Sequence, residues 1–453
     1  MLYIMSFPHR TTSSLLIFPL ALLFCLHFTP GPAAAQDTEG MSLEECILSV
    51  LANSHDLHMT QATTDQKQAL LNSAKKNRYP SLSAVLSSTH QTEPVPDYFP
   101  DNMLSYGLAI NQPLYKGNAI VTNIEQAETS REIAALDSVR TINDLVFAVY
   151  KLYFALLRAE KLEDEDRQAV LRLQAHLKDS RALFTVGIAP KVVLLQSEVE
   201  LAQGEQDLVD AQNRTENAKS ALNIAMQRNI AAPLTIQDIT PNTSKLFNWP
   251  KIQELTLAKR PEITQARLAV DFAEQDITLQ TAEFSPDINL IASYDGDMDY
   301  NSAQDEEDSR WSRENAMIQV SASWKLWTWN KNSDEEVAAK MVLRRARYNL
   351  AKIIDEVTME ARTAFLHIEQ GAKRVIVSEK AIEQARENYR INQERYQKQI
   401  ATSTDVLDAQ ELLTQAMTNY YDSLYGHELA KAAVWRAQGF FGEKYSNEEL
   451  VRE

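Results

Sequence analysis

The sequence predicts a mainly α-helical protein with a small β part: two copies of one unit, each with a pair of short strands followed by a very long helical hairpin. Three observations predict it. The stretch FTVGIAPKVVLLQSEVEL at 184–201 returns in altered form as YQKQIATSTDVLDAQELL at 396–413, an offset of 212 residues. Residues 118–186 contain neither glycine nor proline, and residues 331–399 contain only Gly371. Four short segments alternate in polarity with period two, the signature of strands with one buried face.

The elements follow in order. Arg10, the apolar run from Leu15 to Phe28 and Ala33-Ala34-Ala35 read as a secretory signal peptide over 1–35. The run is too short for a membrane anchor, which needs about 20 apolar residues, and Phe24 before Cys25 is too bulky for lipoprotein cleavage. Cleavage leaves Cys46 alone, so no disulfide framework exists in an oxidising compartment. The net charge of -17 is spread over both halves without a basic patch, which excludes nucleic acid as a partner.

The first repeat, 36–232, opens with a helical pattern over 43–77, continues with strands at 81–89 and 105–112, and then becomes helix from Asn118 to Val186. At ~1.5 Å per residue that helix is roughly 100 Å long, far more than a globular domain requires. Gly187 and Pro190 break it, and a return arm runs from Lys191 to about Arg228. A linker, 233–251, leads to the second repeat, 252–439: a helix over 252–282, strands around 288–293 and 318–324, and a second hairpin whose return arm starts at Asp405. Thr402, Ser403 and Thr404 can cap that arm. Residues 440–453 read as a tail. Before the strands the offset is 206, pairing Leu57 with Ile263 and Pro80 with Pro286, so six residues separate the two registers.

Four such strands cannot close a barrel by themselves, because membrane barrels begin at eight, and left open they present unpaired edges. Either several chains pool their strands in one barrel, or a small antiparallel sheet sits on a helical body. The acidic stretch 295–314 and its polar counterpart 91–102 suit an outer rim, while Tyr115, Trp324, Trp327 and Trp329 lie at the other strand ends. There their rings fit either a membrane-interface belt or core packing.

Gln112-Pro113-Leu114-Tyr115-Lys116-Gly117 at the strand-to-helix junction, Arg260-Pro261-Glu262-Ile263 and Asp405-Val406-Leu407-Asp408-Ala409-Gln410 resemble the motifs of the TolC-type outer membrane factors, the outer membrane efflux protein family. The resemblance runs through the whole mature chain. It implies a homotrimer with a 12-stranded β-barrel in outer-membrane lipid and an α-helical barrel in the periplasm. Its helical tip would meet a periplasmic adaptor coupled to an inner-membrane pump, of the RND class or the ABC class of type I secretion. The chain would then be a passive exit duct, gated at the tip. The resemblance assigns Gly187, Ile188, Ala189, Pro190, Gln399, Ile400, Ala401 and Thr402 to adaptor contact, and matches Asp405 and Asp408 to a pair that lines the periplasmic constriction. An arginine that latches the tip in one branch of the family is Ala401 here, and Val193 stands where the second copy keeps Asp405.

On physical grounds Asp405 and Asp408, three apart, share a helix face and could form a carboxylate ring in a trimer. Equally, Asp405 could only complement the positive end of its helix. An enzyme is not expected: His55, His58 and Cys46 lack a third metal ligand at a recognisable spacing, and no phosphate-binding loop or nucleophile elbow appears. Neither cofactor nor metal is called for. A periplasmic coiled-coil adaptor is the alternative reading, since it shares the long hairpin but has one hairpin and a β-rich body.

Overall fold

The computed structural model describes residues 40–90, 102–239, 247–299 and 312–446. The signal peptide over 1–35 and most of the two rim loops lie outside them. The elements are α1 (Leu43–Asn53), α2 (His55–Lys76), β1 (Ser81–His90), β2 (Asn102–Lys116), α3 (Ala119–Thr185), α4 (Lys191–Ala225), α5 (Trp249–Lys259), α6 (Pro261–Ala282), β3 (Asp287–Asp299), β4 (Ser312–Ser323), α7 (Lys331–Gln397), α8 (Ser403–Ala437) and α9 (Phe440–Ser446). Both ends of α3 and α4 map onto both ends of α7 and α8 at an offset of 212, and α1, α2 and the start of β1 map onto α5, α6 and the start of β3 at 206. The change of register falls in the second strand pair.

The backbone carries the same repeat. Among the described residues, positive φ occurs at Gly117 and Trp329 (both 53°), Asn118 and Asn330 (68° and 65°), Gly187 and Gln399 (80° and 58°), and Gln227 and Gly439 (57° and 70°). Every pair is 212 apart. Except at Asn118 and Asn330, side chains at these positions have diverged while the left-handed turn has stayed, because the geometry of the strand-to-helix junction, the hairpin tip and the helix end depends on it.

The helices form two stacked rows that share α3 and α7. In one row α2 packs on α3, α3 on α6 and α6 on α7; in the other α4 packs on α3, α3 on α8 and α8 on α7. Ties along α3 mark the sequence of levels: Gln126 Nε2 donates to the Phe272 carbonyl (3.4 Å), Gln265 Nε2 to Ile133 (3.1 Å), Asn143 Nδ2 to Arg436 (3.0 Å), and Arg158 pairs with Asp422. α7 runs through Gly371 unbroken, since that glycine serves packing: a Cβ there would meet His427 Nδ1 of α8 at 3.0 Å.

Where the rows meet, a core wraps the middle of α3. Ile142, Val146, Tyr153, Leu156 and Leu157 are buried with Cys46, Ile47, Leu222 and Met226, each large aliphatic side chain contributing about 2 kcal/mol. The Tyr153 hydroxyl donates to the Gln237 carbonyl at 2.6 Å. A second cluster joins Ile252, Phe365, Ile368 and Val434.

Four expectations need correction. The helical pattern over 43–77 is two helices, because Ser54 is extended (ψ 123°) and caps α2 through Leu57 N. Its counterpart over 252–282 breaks at Arg260, where Pro261 forces the preceding residue out of helix. Residues 233–251 are more than a linker: Leu234 and Ile236 are buried in the first core, Met41 pairs with Ile236 in a β-bridge, and α5 begins at Trp249. Residues 440–446 are not tail but α9, whose Phe441 stacks on Tyr150 at 5.2 Å and whose Tyr445 is fully buried.

Arg260-Pro261-Glu262 locks the second short-helix pair to the long helices. The buried Arg260 guanidinium holds both Glu262 oxygens (2.9 and 2.8 Å), Glu360 (2.8 Å) and the Arg436 carbonyl (3.2 Å), while Arg436 bridges Glu360 (2.6 Å) and Asp144 (2.8 Å). Removing one member of such a buried set strands the others. Arg260→Ala is expected to cost about 3 kcal/mol, read as a lower denaturant midpoint of the detergent-solubilised protein; an unchanged midpoint would refute this role.

Candidate functional site: the open sheet and the hairpin tips

The sheet is an antiparallel meander in the order β1-β2-β3-β4, so β1 and β4 are both open edges within one chain. Its register aligns residues of like character. Leu82 lies across from Ile110, Ile110 from Ala292 and Ala292 from Ile318; Ala84, Leu108, Tyr294 and Ala316 form the next rung. Cross-strand partners share a face, so one side of the sheet is mainly apolar through all four strands, with polar exceptions towards its ends that include Ser88, Gln112 and Glu314. Leu82, Leu86, Leu108, Ile318 and Val320 are exposed on it.

The opposite side presents Ser81, Ser83, Ser87, Ser105, Gly107, Asn111, Asn289, Ser293, Asp295, Gln319 and Ser321, with Val85, Met103, Ala109, Ile291 and Met317 as apolar exceptions. The strands are longer than expected: Asp295, Asp297 and Asp299, read as loop, belong to β3, and Glu314 belongs to β4, where it accepts from the Tyr106 hydroxyl at 3.4 Å. An exposed apolar face backed by a polar one, with no core on either, suits a wall between lipid and water. The ten residues of β1 rise ~33 Å, or ~25 Å along the membrane normal at a tilt of about 40°.

The aromatic residues ring the end of this face nearest the helices. Tyr115 pairs with Ile288 beyond a bulge after Pro113, and Trp324, Trp327 and Trp329 are 59%, 71% and 85% exposed. Trp324 Nε1 donates to the Phe284 carbonyl (3.0 Å), and Trp327 meets Trp329 edge-on at 5.8 Å. Exposure of this degree keeps these three rings out of the core of the single chain.

At the far end the two tips have one geometry. Gly187 N donates to Phe184 O and Ile188 N to Leu183 O, both at 2.9 Å; Gln399 N donates to Tyr396 O (2.9 Å) and Ile400 N to Arg395 O (2.8 Å). Ile188 and Ile400 are exposed, Pro190 and Thr402 also, and Ala189 and Ala401 are half-buried. The helices that follow start differently. Pro190 caps nothing, and Val193 sits at the third position. Thr402 and Asp405 form a reciprocal capping box: the Thr402 amide donates to Asp405 Oδ2 (2.7 Å) and the Asp405 amide to Thr402 Oγ1 (3.2 Å). The two partners occur in the same copy and are missing together from the other.

These bonds, the Thr402 amide first, hold the Asp405 carboxyl below the ordinary carboxylate range. The folded value being depressed, the stabilisation is present above about pH 4 and lost as pH falls through the lowered value. Asp405 and Asp408 are both exposed, yet they are used differently. Asp408 lines a groove of about 410 Å³ between α3, α4 and α8 with Asp166, Glu200, Asp207 and Glu411, whereas Asp405 is turned onto Thr402 and stays outside that groove. Two cross-hairpin ties nearby were invisible in the sequence: Arg172 Nε donates to Gln410 Oε1 at 2.7 Å, and His176 Nε2 lies 2.7 Å from Ser403 Oγ. They join residues 238 and 227 positions apart, which no local pattern links.

The outer membrane efflux protein family matches residues 47–226 and 252–439, both repeats together. The chain belongs to this family. Membership places it in the outer membrane as an efflux channel and sets aside the adaptor alternative. It is 21% identical over 368 residues to the alkaline protease secretion protein AprF of Pseudomonas aeruginosa, covering 79% of this chain and 74% of that one. It is 22% identical over 355 residues to the outer membrane protein TolC of Vibrio cholerae, covering 76% and 78%. The solved outer membrane protein VceC of Vibrio cholerae shares its fold with a TM-score of 0.75 at 19% identity, over 88% of this chain and 96% of that one.

The turn geometry can be tested apart from transport. An added Cβ at Gly187 meets nothing within 4 Å, so Gly187→Ala isolates the left-handed strain and should cost about 1 kcal/mol. Gln399→Gly should gain about the same, and Thr402→Ala should lose about 1 kcal/mol through the cap. Denaturant midpoints read all three; a neutral Gly187→Ala would contradict the assigned turn.

Proposed function

We propose that three copies of the chain close into one tube, an exit duct that conducts substrates passively from the periplasm to the exterior. The observation that carries this reading is the double set of open edges. The sheet ends at β1 and β4, and the helical rows end at α2 and α4 on one side and α7 on the other. In lipid an open strand edge leaves backbone groups unsatisfied at several kcal/mol each, so β4 must meet β1 of another copy. Three four-stranded sheets make a closed barrel of twelve strands, within the range of known membrane barrels.

The edge helices carry matching apolar surface. Val192, Leu195 and Val199 on α4, and Val377, Met359 and Tyr348 on α7, are exposed in the single chain and would be covered by closure. The apolar sheet face would then meet outer-membrane lipid, the junction aromatics would sit at its inner interface, and the helices would extend roughly 100 Å through the periplasm. The exposed tips, 187–190 and 399–402, are the surface offered to a periplasmic adaptor, itself coupled to an inner-membrane pump of the RND class or the ABC class of type I secretion. In this reading the chain conducts without catalysing and needs no cofactor.

At the tip, Asp408 and Asp405 of three copies give six carboxylates near one axis, a ring that favours cations. The capping box does not oppose this role, since it keeps Asp405 ionised and fixes its position. In planar bilayers the purified protein should give discrete cation-selective currents. Asp405→Asn with Asp408→Asn should reduce the cation preference while Lys191→Ala leaves it unchanged; equal effects of the two would sink the ring, and absence of any current would sink the duct.

A further inference from the structure

We propose that a buried polar knot centred on His176 holds the two hairpins of one chain together near their tips while its imidazole is neutral, and releases them when it is protonated. This rests on the reading of the tip as the gate. Four helices meet at the knot: α3 brings His176 and Ser180, α4 Ser197, α7 Tyr396 from its last turn, and α8 Ser403 as its first residue. All five side chains are buried. His176 Nε2 is 2.7 Å from Ser403 Oγ, its ring lies 4.9 Å from that of Tyr396, the Tyr396 hydroxyl is 2.9 Å from Ser180 Oγ, and Ser197 Oγ donates to Ser180 Oγ at 3.0 Å.

A cation fits this place poorly. Burial withdraws it from water, and Ser403 opens α8, so the charge would face the positive end of that helix. Asp179 on α3 is the charged group that favours the cation, and burial outweighs it, holding the ring below its ordinary value. The other charged or titratable groups do not change in the relevant range. Arg172, one turn earlier on α3, is a fixed cation tied to Gln410 of α8. On α7, the Tyr389 hydroxyl is pushed further up by burial. On α8, Asp405 is held low by Thr402 and stays ionised. From α4 only the Ser197 hydroxyl reaches the knot, through Ser180.

The sign follows. The closed form has the depressed value and the open form an ordinary one near 6.5, so the tie is complete above about pH 6.5 and is lost progressively as pH falls. The repeat restricts it to one kind of seam. At an offset of 212, His176 corresponds to Asn388 and Ser403 to Lys191. The equivalent seam, α7 against α4 of a neighbouring copy, therefore carries no histidine at this position, and the proton acts here only between hairpins of the same chain.

The test places nitroxide labels at Val186→Cys and Lys398→Cys, one on each tip, in the purified protein in detergent; Cys46 is buried and stays unlabelled. Between about pH 7.5 and about pH 5.5 the shortest inter-label distance should shift to longer values. In His176→Gln, which is neutral throughout and can still bond Ser403, that shift should vanish. A native distribution that does not move overturns the proposal whatever the variant does, and so does a variant that moves as the native protein does. Bilayer currents from the same preparation keep the two readings apart: a moving tip without current counts against the duct and for the knot.

Discussion

An incomplete edge is the constraint on which the rest of this structure depends. Backbone amides and carbonyls at a strand edge can be left to water but not to lipid, and this chain has a sheet whose faces are sorted for lipid on one side and water on the other. Once the sheet must close, its neighbours follow. The strands continue into helices through left-handed turns at Gly117-Asn118 and Trp329-Asn330, so the spacing of strands dictates the spacing of staves. The helical rows inherit open flanks in the same order. The long helices show little of the amphipathic pattern expected of a globular bundle because each is one stave of a wall, in contact with neighbours on its flanks and solvent on the others.

Duplication explains why so much backbone is shared by residues with so little in common. What the copies preserve is where the chain bends; what they vary is how each bend is held. Gly117 can adopt its turn freely and leaves no room for a side chain, since a Cβ there would lie 2.7 Å from the Ala282 carbonyl, whereas Trp329 accepts the same φ at some strain and carries an exposed ring. At the tips Pro190 starts one helix with a fixed φ, and Thr402 with Asp405 starts the other with a charge. The divergence makes a pseudo-symmetric wall that can be acidic on some staves and apolar on others.

The gross design was legible in the sequence because it rests on long-range periodicity: the repeat, the glycine-free runs and the alternating segments each extend over many residues. Its failures have local causes. The break at Ser54 occupies a single residue and leaves the apolar spacing intact on both sides. That at Arg260 was signalled by Pro261 and passed over. α9 was missed because seven residues are too few for a periodic signal, although Phe440, Phe441 and Tyr445 form an apolar set. At the tip, the sequence left Asp405 two readings, helix cap and constriction residue, and the structure shows the cap. The Arg172–Gln410 and His176–Ser403 ties could not be read, since their partners are brought together only by packing of two hairpins.

Of the staves in each wall, α3 and α7 are continuous from barrel to tip, while the other two positions are each filled by a shorter helix above and another below. The chain thus alternates whole rods with rods cut at mid-height, and the cut ends all lie at the buried waist. That core is accordingly a splice: it carries shear between upper and lower halves which no covalent helix carries at those positions. Damage there would leave every helix intact and yet uncouple a twist applied at the tip from the barrel above it.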